Sequence, residues 1–125
     1  MTPEAMAAAA RAAAKEGARW VYRRRYVTGD QTIACREPGE HQLHLTTILS
    51  WDYAREAGVS TATARAHLRR LAAAGVLVEH RHHRVSGVCR FAFPNEVNEA
   101  IGRELIAELV AEGLPFDDDW RASRA

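Results

Sequence analysis

One stretch of this 125-residue chain concentrates arginine, histidine and small residues at spacings that suit contact with a polyanion. Between Ser60 and Arg90 stand Arg65, Arg69, Arg70, Arg81, Arg84 and Arg90, against a single acid, Glu79. That is a surplus of five positive charges. On a helical repeat, Thr61, Ala62, Arg65, Ala66 and Arg69 fall outside the stripe formed by Ala64, Leu68 and Leu71. Small side chains let a helix approach base edges, while guanidinium groups pair with guanine acceptors or with phosphate. Ser60 and Thr61 open that helix, where free N–H groups suit a phosphate. Arg81, His82, His83 and Arg84 form a second cluster at the tip of a predicted hairpin, suited to the sugar-phosphate backbone. The candidate DNA contacts are thus Ser60, Thr61, Ala62, Arg65, Ala66, Arg69, Arg70, Arg81, His82, His83 and Arg84.

A solvated basic helix face would by itself explain Arg65, Arg69 and Arg70. It does not explain why outward acids vanish over this stretch alone. Met1 to Val59 has eight basic and seven acidic residues, and Phe91 to Ala125 has three against eight. The negative C-terminal part would repel a phosphate backbone and is expected to lie away from it.

The elements that must carry these residues can be read from punctuation and period. Thr2-Pro3-Glu4 starts a helix that alanine carries to about Glu16. Gly17 is a candidate break before Ala18 to Tyr26. Thr28-Gly29-Asp30 stops it. Gln31 to Gln42 reads as irregular, with a short strand around Thr32 to Cys35, and Leu43 to Leu49 as a short strand. Ser50 is expected to cap a helix Trp51 to Ala57 that ends at Gly58, and Ser60 to cap a helix Thr61 to Ala74 that ends at Gly75. The stripe Ala64, Leu68, Leu71 would pack on Tyr53, Ala54 and Ala57, with Val59 plugging the turn. Val76 to Glu79 and Val88 to Phe93 read as strands joined near Ser86-Gly87. Pro94-Asn95 opens a last helix to about Glu112, followed by a frayed, acidic end.

Two helices joined by a tight turn and followed by a basic hairpin form a recognisable layout. Over about Leu45 to Pro94 it resembles the winged helix-turn-helix superfamily, as in bacterial regulators of the MarR, ArsR and GntR kinds. The matching residues are Ala54 to Ser60, Thr63-Ala64, His67-Leu68, Leu71, Gly75 to Val78 and the strand Val88 to Phe93. The resemblance implies an α+β winged-helix fold, with Thr61 to Arg70 as recognition helix and His80 to Gly87 as wing. The expected organisation is one domain over 1–125: N-terminal helix and loop (1–44), helix-turn-helix and wing (45–94), C-terminal helix (95–114) and flexible tail (115–125). It also implies sequence-specific binding of double-stranded DNA by a bacterial or phage transcription regulator. The alternatives are a plasmid or phage replication or partition protein, or a winged helix that only binds other proteins.

Since one helix-turn-helix reads a short half-site, a homodimer is expected. Its surface would be the broad apolar face of the C-terminal helix, Val97, Ile101, Leu105 and Leu109 with Ile106 and Val110, joined by the N-terminal helix with Trp20 and Val21.

Other chemistry is weaker. His80, His82, His83 and Cys89, with His41 and His44 upstream, have types that chelate Zn²⁺ or Ni²⁺, and imidazole also gives a pH response near ~6.5. No paired-cysteine motif accompanies them, so no metal and no cofactor is assigned. Arg23-Arg24-Arg25, between Tyr22 and Tyr26, reads equally as a second nucleic-acid contact or as a solvated helix end. No glycine-rich phosphate loop or nucleophile elbow is present, and Asp117-Asp118-Asp119 reads as a solubilising end, so the expectation is a non-enzyme. Cys35 and Cys89 cannot build a disulfide framework. The N-terminal alanines are broken by Glu4, Arg11, Lys15 and Glu16, unlike a signal peptide, and no apolar run spans a membrane. The expected location is the cytoplasm.

Overall fold

A computed structural model of the chain describes residues 1–26, 48–81 and 89–113, with the backbone alone at 21–26, 80–81 and 89–90. Its elements, in chain order, are α1 (Pro3–Tyr26), α2 (Ser50–Ala57), α3 (Thr61–Ala73), β1 (Val78–Arg81), β2 (Cys89–Ala92) and α4 (Asn95–Ala111). The described part is mostly helical with a small antiparallel sheet, an α+β composition. The segment 27–47, the hairpin tip 82–88 and the tail 114–125 lie outside the described residues. So do the expected strand around Thr32 to Cys35, all but the last two residues of the expected Leu43 to Leu49 strand, the turn at Ser86-Gly87, and Asp117-Asp118-Asp119.

Helix α1 begins as its sequence dictates. Thr2 Oγ1 accepts from the Ala5 N–H at 3.1 Å, and the Thr2 carbonyl accepts from the Met6 N–H at 3.0 Å. Gly17 does not interrupt it: the helix runs unbroken to Tyr26. The strong helix propensity of the alanines outweighs one glycine, which costs about 1 kcal/mol. Met6, Ala10, Ala13, Ala14 and Ala18 are buried, so the small residues serve to bring α1 close to its neighbours. It packs on α2, α3 and α4.

The start of α2 differs from the sequence reading by one residue. Ser50 is already helical, Leu49 occupies the cap position in extended conformation, and no side chain caps this end. The other end is as expected. Gly58 sits at φ +69°, and its N–H and that of Val59 both reach the Ala54 carbonyl. The strands pair His80 with Arg90 and Arg81 with Cys89; β1 lies two residues nearer the hairpin tip than the expected Val76 to Glu79, and β2 lies within the expected Val88 to Phe93. Ahead of α2, Ile48 forms an isolated antiparallel bridge to Phe91, its N–H bonded to the Phe91 carbonyl at 2.7 Å. The end of the expected Leu43 to Leu49 strand therefore does meet the sheet.

One core joins α1, α2, α3, the sheet and the start of α4. It contains Met6, Ala10, Ala14, Ile48, Tyr53, Leu68, Leu71, Leu77, Phe91, Phe93 and Ile101. Asn98, also buried, donates from Nδ2 to the Phe93 carbonyl at 2.9 Å and fixes α4 against the end of β2.

One expectation about α4 needs correction. Its apolar face does not await a second chain. Ile101, Leu105, Ile106 and Leu109 are all buried within the single chain, Val97 packs against the core, and only Val110 is exposed. Several of its carboxylates are paired within the chain. Glu104, Glu108 and Glu112 lie along α1 and pair in register with Arg11, Lys15 and Arg19. The bonds are Arg11–Glu104 at 2.6 Å, Lys15–Glu104 at 3.3 Å, Lys15–Glu108 at 2.7 Å, Arg19–Glu108, and Arg19–Glu112 at 2.6 Å. Partners advance together in both helices, so α1 and α4 run parallel. Arg11, and then Lys15, hold the Glu104 carboxyl below its ordinary value, and Glu108, then Glu104, raise the Lys15 ammonium against its partial burial. Seven charges that the sequence spreads over two helices thus form one clasp, with Glu16 joining Arg19 at 3.8 Å.

Candidate nucleic-acid interface

Helix α3 is positioned from three sides. Ser60 caps it: Oγ accepts from the Thr63 N–H at 3.1 Å and also bonds Thr63 Oγ1 at 3.0 Å, while the Ser60 carbonyl accepts from Ala64 at 2.8 Å. Ala64, Leu68 and Leu71 are buried, as their spacing requires. At the far end Gly75, at φ +80°, closes the helix. Its N–H reaches the Ala72 carbonyl at 3.0 Å and the Val76 N–H reaches Leu71 at 2.9 Å, the paired pattern of a Schellman stop. Ser60→Ala should lower stability by ~1 kcal/mol, read as a reduced urea midpoint with unchanged slope. An unmoved midpoint would mean that the cap contributes nothing.

With the stripe fixed inward, Thr61, Ala62, Arg65, Ala66, Arg69 and Arg70 are all exposed, and so is Ser60. These seven of the eleven candidate residues lie on one short segment. Arg81 is in β1, where the backbone alone is described, and His82, His83 and Arg84 lie outside the described residues. The histidine-rich hairpin as a metal site lies outside them for the same reason. Among the described residues no group of three or more His, Cys, Asp or Glu is placed to hold a metal. The side chains of Arg23, Arg24 and Arg25 also fall outside the description. No helix among the described residues is long and apolar enough to cross a membrane.

The electrostatics of α3 differ from those of its neighbours. The helix contains no acid. Arg11, Lys15, Arg19, Arg55 and Arg103 all have carboxylate partners within the chain. Arg65, Arg69 and Arg70 have none among the described residues. Among the described residues, then, three exposed cations stand on one helix with no carboxylate to neutralise them.

One contact in this region was not foreseen from the sequence, which placed Tyr53 only under the apolar stripe of α3. Tyr53, fully buried on α2, bonds through its hydroxyl to His67 Nδ1 on α3 at 2.9 Å, with the rings edge-on at 5.7 Å between centroids. The contact ties the two helices across the turn. Nearby, burial raises the Asp52 carboxyl, and Arg55 opposes that shift through a 2.9 Å ion pair.

Comparison with protein-family models, curated proteins and solved structures gives no match.

Proposed function

We propose that this protein binds double-stranded DNA in a sequence-specific manner, as a winged helix-turn-helix transcription regulator. The observation that carries the reading is the exposed face of α3: free of acids, lined with small residues, and bearing Arg65, Arg69 and Arg70 without carboxylate partners among the described residues. The element order supports it. A bridge at Ile48, two helices joined through Gly58, and an antiparallel pair that returns to Ile48 place α3 beside a hairpin whose sequence is basic. In this reading α3 enters the major groove and the hairpin, with Arg81, His82, His83 and Arg84, follows the backbone.

A two-fold dimer would present two copies of α3 to half-sites about 34–36 Å apart. With the inner face of α4 covered, the surface proposed for such a dimer is the outer side of α1 and α4, where Trp20 and Val110 are exposed.

The test is binding of the full chain to labelled duplexes selected from a random pool, followed by fluorescence anisotropy at several salt concentrations. Affinity should fall steeply with salt, losing about 0.9 logarithmic units per phosphate contacted for each tenfold rise. A palindromic consensus would support the dimer. No duplex binding even at low salt would overturn the proposal and favour a protein-interaction module.

A further inference from the structure

The polar residues of α3 do not form a single stripe. At about 3.6 residues per turn, Ala62, Ala66 and Ala73 run along the middle of the face opposite Ala64, Leu68 and Leu71. Arg65 and Arg69 flank this small-residue strip on one side. Thr63, His67 and Arg70 flank it on the other. A helix lying in a groove has a phosphate strand on each side, so both flanks have a partner available.

His67 is the half-buried member of the second flank, and its ring is held from within. Burial raises the Tyr53 phenol, and its hydroxyl lies 2.9 Å from Nδ1 in a bond whose direction the His67 tautomer sets. A neutral imidazole that accepts at Nδ1 carries its hydrogen on Nε2. Because Tyr53 is fully buried, the Nδ1 edge faces the interior and the exposed part of the ring is the edge that bears Nε2.

We propose that Thr63, His67 and Arg70 form a second phosphate-binding row, in which the bond to Tyr53 holds the His67 ring so that Nε2 donates to the DNA backbone. This rests on the DNA-binding reading above.

The experiment follows the full chain by ¹H–¹⁵N NMR of the histidine rings, free and with a duplex of about 20 base pairs, at one pH. Anisotropy with the same duplex is measured for wild type, His67→Phe and Tyr53→Phe. The expected results are the Nε2–H tautomer at His67, an Nε2 signal that moves when duplex is added, and about a tenfold loss of affinity in His67→Phe, the size of one lost bond to a charged group. Tyr53→Phe should keep the fold and lose part of that affinity. An Nδ1–H tautomer, or a His67 Nε2 signal that duplex leaves unmoved, would overturn the proposal. Should a variant fail to fold, the wild-type spectra still decide. Absence of any duplex binding is a separate outcome that overturns the DNA reading itself.

Discussion

Placing a carboxylate at Ile101 or Leu109 should abolish folding rather than convert a dimer into a soluble monomer. Both side chains are essentially inaccessible within one chain. Their truncation to alanine should already cost about 2–5 kcal/mol through lost burial and residual cavity. Aspartate adds the cost of an unpaired buried charge, several kcal/mol more unless it is protonated. Domains of this size have roughly 5–15 kcal/mol of total stability, so either aspartate variant removes most or all of it. Circular dichroism and urea titration read the effect, with sedimentation equilibrium alongside. A well-folded monomeric Leu109→Asp protein, obtained from an oligomeric wild type, would show that this face belongs to an interface after all. Val110→Asp on the exposed side is the control and should leave the urea midpoint nearly unchanged, within about 0.5 kcal/mol.

The second large effect concerns recognition. Arg65 and Arg69 lie one turn apart on α3 and have no carboxylate partner among the described residues, so their removal leaves no buried charge behind. Replacing both by alanine should leave stability almost unchanged. It should weaken binding to a selected duplex by about 2–6 kcal/mol, given ~1–3 kcal/mol for each base-reading arginine. Specific and scrambled duplexes must be compared at one salt concentration. If the loss is confined to the selected sequence, these arginines read bases. Equal loss on both would restrict them to phosphate contact and move the reading of sequence elsewhere.

These expectations separate what the sequence makes legible from what it does not. Ala64, Leu68 and Leu71 announce their stripe because a helix turns with a fixed period, and Gly58 and Gly75 announce its limits because few residues adopt positive φ. The exposed candidates on α3 follow from the same arithmetic. The apolar face of α4 was equally visible, but its partner was not. Periodicity reports that a face is buried and is silent on whether its own chain or another covers it. The one-residue shift at Ser50 reflects a competition that composition does not settle, since the Leu49 carbonyl accepts the first helical bond, from Tyr53 at 3.1 Å. The Tyr53–His67 bond was invisible for a different reason. It depends on how two helices cross, and neither residue is unusual in its own segment.

The clasp between α1 and α4 also bears on how the chain is made. Arg11 and Glu104, bonded in the finished fold, are 93 positions apart, as are Arg19 and Glu112. A ribosome adding about 5–20 residues per second therefore delivers the second half of each pair roughly 5–20 s after the first. Throughout that interval the alanine-lined side of α1 has been synthesised without its C-terminal cover. The nascent protein consequently cannot gain the full stability of α1 by local folding, and closure of the longest loop becomes one of its last assembly events.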